Sequence, residues 1–353
     1  MDLETRFSLV KGISQEIVTE EELRSLLETN NHPLAYDGFE PSGLAHLPLG
    51  VYRPLLLKDL LKAGFKFNLL LADTFGWINE KAGGSLENAR VLGDYYLEVW
   101  KAAGLDLSKV KILWHSDFIG DKEYWKLVLQ VARNHNEKRT KRCLAIAGRS
   151  EDASLTAAQL FYPSMQVADV FYQEVDVTQL GMDQRKANML AREIAPSLKR
   201  KPPVVVSHKM LLGLQGGSAS ASDEFTDKMS KSKPNSSIFV HDSLDEIKKK
   251  MNKAYCPEKT IEGNPILEYA KEIIFRARKD FIIDRPEKFG GRLEFESYKE
   301  LEHAFGEGKI HPMDLKNATA SHLDEVISPI REHFETSSGK KLLEKVKEIQ
   351  ITR

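Results

Sequence analysis

The clearest chemistry in this 353-residue chain lies in Asp227-Lys228-Met229-Ser230-Lys231-Ser232-Lys233-Pro234, where lysines frame hydroxyls. Lysine ammoniums are compact point charges that neutralise phosphate oxygens, and serine hydroxyls and backbone amides donate the remaining hydrogen bonds. The run from Gly216 to Ser222 is Gly, Ser and Ala, and lets such a loop swing over a polyphosphate. The plainer reading of the same letters is a solvated linker. A second anion site is suggested by Tyr36-Asp37-Gly38-Phe39-Glu40-Pro41-Ser42-Gly43 followed by His46-Leu47-Pro48-Leu49-Gly50. A strand, a Gly-rich turn and a helix N-terminus point amides at an anion, and His46 is placed to donate to a phosphoryl oxygen, or simply to cap or sit on the surface. A third group is Tyr162, Gln166 and Asp169, spaced i, i+4 and i+7, which share one helix face. Such a polar face turned to the core either binds a polar ligand or closes on itself as a hydrogen-bond network. Gln184, in Gly181-Met182-Asp183-Gln184-Arg185-Lys186, is placed to join that pocket, and Arg185 and Lys186 to face phosphate or RNA.

These groups need a scaffold, and the chain is long enough for two domains. Residues 1–30 read as a helical arm, with a Thr19/Glu22 capping box and an apolar stripe of Leu23, Leu26 and Leu27. An apolar start from Leu34 that breaks into the Gly/Pro turn, and runs at 67–72, 110–113, 174–177 and 202–206, read as strands, separated by helices at 52–63 and from Ser85 to the stop at Gly104. That alternation predicts an α/β fold, a Rossmann-like doubly wound parallel sheet, spanning 31–226. Ligands sit at the carboxyl ends of such strands, where Gly38, Asp73 and the turn after Leu113 fall. Residues 116–160 read as an inserted connective segment, more polar and helical, whose Lys138, Arg139, Lys141 and Arg142 form a solvated face or hold RNA or a twin subunit. Residues 227–240 are the mobile loop and linker, and 241–353 an all-α C-terminal domain with capping boxes at Ser243/Glu246 and Ser297/Glu300. Within it, Arg285 to Gly291 and His311 to Asn317 offer an exposed Phe to stack a base and an Asp to accept from a guanine edge, or ordinary core and capping residues.

Composition narrows the classes. The chain is 41% hydrophobic and 29% charged, with formal net charge −1, so RNA binding would have to rest on local patches. No apolar run approaches the roughly 18 residues of a membrane span, and no basic segment followed by an apolar one opens the chain as a signal peptide. Cys143 and Cys256 are too few for a disulfide framework or a zinc cluster. A cytoplasmic protein is the expectation, with neither membrane nor DNA as partner.

The Lys-Met-Ser-Lys-Ser string matches the signature loop of class I aminoacyl-tRNA synthetases letter for letter. With Tyr36 to Gly43, Leu71 to Asp73, Tyr162 to Asp169, Gly181 to Lys186, Lys288 to Gly291 and His311 to Asn317, the chain resembles the archaeal and eukaryotic cytosolic tyrosyl-tRNA synthetases, from near residue 15 to Phe334. The resemblance implies that Tyr36 and Asp169 bind a substrate phenol hydroxyl while Tyr162, Gln166 and Gln184 hold its ammonium. It assigns ATP to Gly38, Glu40, His46, Gly50, Lys228, Met229, Ser230, Lys231 and Ser232, with His46, Lys228 and Lys231 catalytic. It further implies Arg185 near the acceptor stem, an anticodon-binding C-terminal domain that uses Phe289, His311 and Asp314, Mg²⁺ carried by the ATP phosphates with no metal held by the protein, and a homodimer using the insertion. The activity implied is formation of tyrosyl-adenylate from L-tyrosine and ATP, then transfer to tRNA(Tyr). One motif departs: His46-Leu-Pro-Leu-Gly50 replaces His-x-Gly-His, with one more residue and no second histidine. The rivals are a tryptophanyl-tRNA synthetase, whose indole would leave Tyr36 and Asp169 unserved, and a catalytically retired RNA-binding relative.

Overall fold

The computed structural model describes residues 1–144, 154–217, 228–230 and 236–349. Its strands are β1 (Glu16–Val18), β2 (Leu34–Phe39), β3 (Lys66–Leu71), β4 (Lys111–Trp114), β5 (Val177–Thr178), β6 (Val204–Ser207), β7 (Phe281–Ile283) and β8 (Leu293–Phe295). The first six form one sheet in the order β1-β6-β5-β2-β3-β4. From β2 the chain winds outward through β3 to β4, then returns to lay β5 and β6 on the other side of β2, all parallel. Strand order therefore reverses between β2 and β5, the place where a doubly wound sheet opens a crevice.

Alternation along β2 and β3 decides which side chains meet. Ala35, Phe67, Leu69 and Leu71 join the apolar layer under the helices Arg53–Lys62 and Leu86–Ala102. Tyr36 and Leu70 point to the opposite layer, shared with the helices Lys122–Ala132 and Ala157–Tyr172. In β3 all residues after Lys66 are buried, the pattern of a parallel strand covered on both faces. The helix Ala157–Tyr172 starts at a capping box between Thr156 and Gln159, and this fixes the phase in which Tyr162, Gln166 and Asp169 face Tyr36.

The doubly wound sheet is as read from the sequence, with an addition. The N-terminal arm contains the expected helices, Leu3–Gly12 and Glu20–Thr29, but also β1, which pairs antiparallel with β6 at the sheet edge. The expected all-α character of the C-terminal part is likewise amended. That region is helix-rich, from Leu244–Asn252 through Pro312–His333 to Ser337–Glu348, yet it holds the antiparallel pair β7–β8. Strands of three residues are too short to carry a readable alternation, which is why neither was visible in sequence. No helix among the described residues is long and apolar enough to cross a membrane.

A buried ion pair ties the two sides of the strand reversal. Arg53 Nε donates to Asp37 Oδ2 on β2 at 2.8 Å, and its Nη2 to the Gln179 carbonyl after β5 at 3.0 Å. Both side chains are under a tenth exposed. Asp37→Asn should cost about 3–5 kcal/mol in urea denaturation, because Arg53 would remain buried without its counter-charge. Replacing both residues by apolar ones of similar size should recover most of that loss. A single variant as stable as the parent would show that the pair does not brace the sheet.

Candidate active site

The strand reversal opens on a cavity of about 320 Å³. Tyr36 and Gly38 reach it from β2, Glu40 and His46 from the following turn, Tyr162, Gln166 and Asp169 from the helix Ala157–Tyr172, and Gln184 from the loop after β5. Residues not singled out from the sequence also line it: Asp37, Arg53, Phe75, Asp183, His208 and Met210.

At the deep end, Tyr36 is 1% exposed and its hydroxyl has no hydrogen-bond partner among the described residues; nor does Gln166 Oε1. Buried polar atoms are normally paired, and a self-contained network would have satisfied these two. Orphans turned into one cavity favour a polar ligand over a closed structural network. Asp169 is 2% exposed, and its Oδ1 accepts from the Tyr124 hydroxyl at 3.0 Å, with His115 Nε2 at 3.2 Å. Burial, and then the Asp169 charge, push the Tyr36 phenol well above its usual range, so it stays a donor. Around the orphan oxygen, Gln166 Nε2 donates to Gln184 Oε1 at 2.9 Å, and the Tyr162 hydroxyl to Glu40 Oε2 at 3.2 Å.

Toward the mouth, a Cβ on Gly38 would have Leu70 Cδ2 as its nearest neighbour at 3.8 Å, so the protein itself leaves that space open. His46 is bridged to Phe239, with Leu47 N donating to the Ile238 carbonyl at 2.9 Å and Val240 N to that of Ala45 at 3.0 Å. The chain leaving the lysine loop is thus stitched to the histidine turn. At the other end of the loop, Lys228 is bridged to Leu212, Met229 N donates to the Leu211 carbonyl at 2.7 Å, and Met229 is 3% exposed. Met229 is an apolar anchor. Lys228 Nζ sits 2.7 Å from Asp183 Oδ2 at the cavity wall, and the Ser230 carbonyl accepts from Ser237 Oγ at 2.7 Å. Lys231 and Ser232 lie outside the described residues.

Gly50 does not reach the cavity. It is buried behind the histidine turn, where any side chain would collide with Val240 and crowd Val99. The glycine admits the segment returning from the loop, a contact across almost two hundred residues that sequence spacing gives no sign of.

Of the residues expected at RNA, Arg185 is engaged by Glu16 on β1, Nε to Oε2 at 2.6 Å. The other three gather at the C-terminal part. Phe289 is 60% exposed, with Lys288 Nζ 4.9 Å from its ring centre. His311 caps the helix Pro312–His333, its Nδ1 accepting from Met313 N at 3.2 Å. Arg285 holds the two loops together, donating to the Gly291 carbonyl at 2.9 Å and pairing with Asp314 at 3.5 Å.

Residues 28–328 match the family described as tRNA synthetases class I (W and Y). The chain is 43% identical over 356 residues to tyrosine-tRNA ligase 1, cytoplasmic, of Arabidopsis thaliana, covering 100% of this chain and 90% of that one. It is 42% identical over 360 residues to tyrosine-tRNA ligase of Sulfurisphaera tokodaii, covering 100% and 99%. Among solved structures it is similar to tyrosyl-tRNA synthetase of Pyrococcus horikoshii complexed with L-tyrosine, at TM-score 0.89 and 39% identity over 98% of this chain and 100% of that one. Similarity of this kind over nearly the whole chain, on a sheet that reverses at the cavity, makes this chain a member of the class I tRNA synthetases of the tryptophan and tyrosine family.

Proposed function

We propose that this chain is a tyrosine-tRNA ligase acting in the cytoplasm, and that its cavity selects the amino acid by its phenol. The observation that carries the reading is a buried hydroxyl without a partner, that of Tyr36, at the same cavity end as the buried Asp169 carboxylate. A phenol satisfies both, donating to Asp169 and accepting from Tyr36. A phenyl ring would leave both unpaired, a rejection for which tyrosyl-tRNA synthetases are themselves the standard illustration. An indole has no oxygen to accept from Tyr36. The substrate ammonium then falls to Tyr162, Gln166 and Gln184, with Gln184 Oε1 holding the Gln166 amide so that its Oε1 is left for the ligand.

With the amino acid so placed, its carboxylate oxygen attacks the α-phosphorus of ATP in line. The bond to the bridging oxygen breaks, and pyrophosphate leaves with the electron pair. The terminal ribose hydroxyl of tRNA(Tyr) next attacks the carbonyl carbon of the mixed anhydride, losing its proton as AMP departs. Gly38 gives ATP room to approach the backbone, Glu40 borders the same space, and His46 donates to phosphate oxygens while Lys228 and Lys231 neutralise the charge that builds on them. Lys228 reaches the phosphates by exchanging Asp183 for them. Asp37, Glu40 and Asp169 are engaged by protein partners, which fits Mg²⁺ carried on the ATP phosphates, where it would offset the charge of pyrophosphate, better than a cage of protein oxygens.

Two substitutions separate the ends of the site in amino-acid-dependent exchange of pyrophosphate into ATP. Asp169→Ala should lower tyrosine kcat/KM by roughly 10–100-fold and leave phenylalanine unchanged. Lys228→Ala should slow exchange by about 10²–10³-fold without weakening tyrosine binding. Equal losses for both amino acids in the first variant, or an undiminished rate in the second, would remove the assigned role.

The exposed ring of Phe289, with His311 and Asp314, is proposed to read the anticodon, and Arg185 to meet the acceptor stem. Phe289→Ala should raise the KM for tRNA by roughly 10-fold or more, the worth of one stacked base, while pyrophosphate exchange is untouched. An unchanged KM would place the anticodon elsewhere. A homodimer through the 116–160 segment completes the proposal; light scattering should give twice the chain mass, and a single-chain mass would eliminate it.

A further inference from the structure

Behind the selecting carboxylate lies a set of polar groups that never touches the cavity. His115 is fully buried, 0% exposed, at the start of the short helix after β4. Its Nε2 lies 2.7 Å from the Tyr124 hydroxyl and 3.2 Å from Asp169 Oδ1, while its Nδ1 is hydrogen-bonded to the Thr74 hydroxyl. The rings of Phe75 and Phe118 pack edge-on against the imidazole from two sides, each 4.7 Å between centres. Neither His115 nor Tyr124 nor Thr74 lines the cavity, whereas Asp169 does.

Counting protons assigns the roles. Tyr124 has one proton, and Asp169 Oδ1 at 3.0 Å is a closer acceptor than the Met165 carbonyl at 3.3 Å. The short contact to Nε2 then requires the proton to be on that nitrogen, and Nδ1 accepts from Thr74. Oδ1 is thereby bonded from behind by Tyr124, whose own oxygen takes the Nε2 proton of His115, with the imidazole edge 3.2 Å from the same carboxylate oxygen. We propose that His115 is a positioning residue for amino-acid selection: with Tyr124 it holds Asp169 ionised and leaves Oδ2 to accept the substrate phenol proton.

The electrostatics agree with this geometry. Burial raises the Asp169 carboxyl, and the opposing influences are His115 first and then Tyr124. A protonated Asp169 would present a donor where an acceptor is needed, and the preference for a phenol would fade. The titratable groups around His115 are Asp169 from the helix Ala157–Tyr172 and Tyr124 from the helix Lys122–Ala132, with Tyr36 beyond the first and Tyr172 beyond the second. Asp73, on the helix that carries Thr74, is turned to Ser116 and Arg90.

The inference rests on the tyrosine reading of the site, so the parent protein is measured first, and no exchange with tyrosine there would overturn that reading instead. The test compares His115→Phe, which fills the space without donors, with His115→Gln, whose amide restores one. Tyrosine and phenylalanine kcat/KM are followed in pyrophosphate exchange between about pH 5 and 8. In His115→Phe the ratio of tyrosine to phenylalanine should fall by roughly 10-fold or more, as for a lost hydrogen bond to a buried charge. The acid limb of the tyrosine profile should move to higher pH, because Asp169 then protonates more easily, while the KM for ATP stays put. His115→Gln should recover both. If His115→Phe does not fold, Tyr124→Phe carries the test, since it removes the hydroxyl that links His115 to Asp169 Oδ1 and must move the acid limb the same way. A ratio and acid limb matching the parent, or a folded His115→Gln as impaired as His115→Phe, would overturn the proposal.

Discussion

The site depends on one constraint, that the sheet changes winding direction between β2 and β5. The two strands pair over only Ala35–Val177 and Tyr36–Thr178, and beyond that point the chains diverge. The divergence leaves a gap, and the buried Arg53–Asp37 pair keeps it braced by joining β2 to the Gln179 carbonyl beyond β5. A buried pair of this kind is costly to form and more costly to break, so the brace specifies geometry more than it adds stability. Because side chains alternate along β2, Asp37 turns to Arg53 while Tyr36 and Gly38 turn to the opposite face of the sheet. The polar face of the helix Ala157–Tyr172 then has a hydroxyl to meet, and the pocket acquires its acceptor and its donor.

The second half of the site is held from a distance. The lysine loop leaves the sheet domain at the bridge between Leu212 and Lys228 and returns at that between Phe239 and His46. Leu212 is itself clamped by the C-terminal part: its amide donates to Glu268 at 2.7 Å, and its carbonyl accepts from the Tyr269 hydroxyl at 2.6 Å. Glu268 is also paired with Lys209. The base of the lysine loop is therefore fixed by residues of the helix Pro265–Tyr269, in the same helix-rich part that presents Phe289.

What was legible in the sequence was whatever is local. The i, i+4, i+7 spacing of Tyr162, Gln166 and Asp169, the capping boxes at Thr19 and Ser243, and the strand-turn-helix around Gly38 are each written within about ten residues, and those elements occur where the chain predicts them. What escaped was written across the fold. Nothing in the sequence singles out Arg53 or Asp183, whose roles show only where the first meets Asp37 and the second Lys228. Gly50 invites a phosphate role by its place in a motif, and only the return of Val240 explains why a side chain is excluded. His115 follows a strand that reads as apolar, and nothing near it in sequence points to Asp169, 54 residues on. β1, β7 and β8 are too short to announce themselves.

The central claim is that the Tyr36 hydroxyl and the Asp169 carboxylate make this cavity an adenylating site for one amino acid. Exchange of labelled pyrophosphate into ATP, run in parallel with each of the twenty amino acids and without tRNA, tests it most directly. The account predicts exchange with tyrosine alone. Exchange with tryptophan would keep the adenylation chemistry and contradict the pocket, and no exchange with any amino acid would contradict the site as a whole.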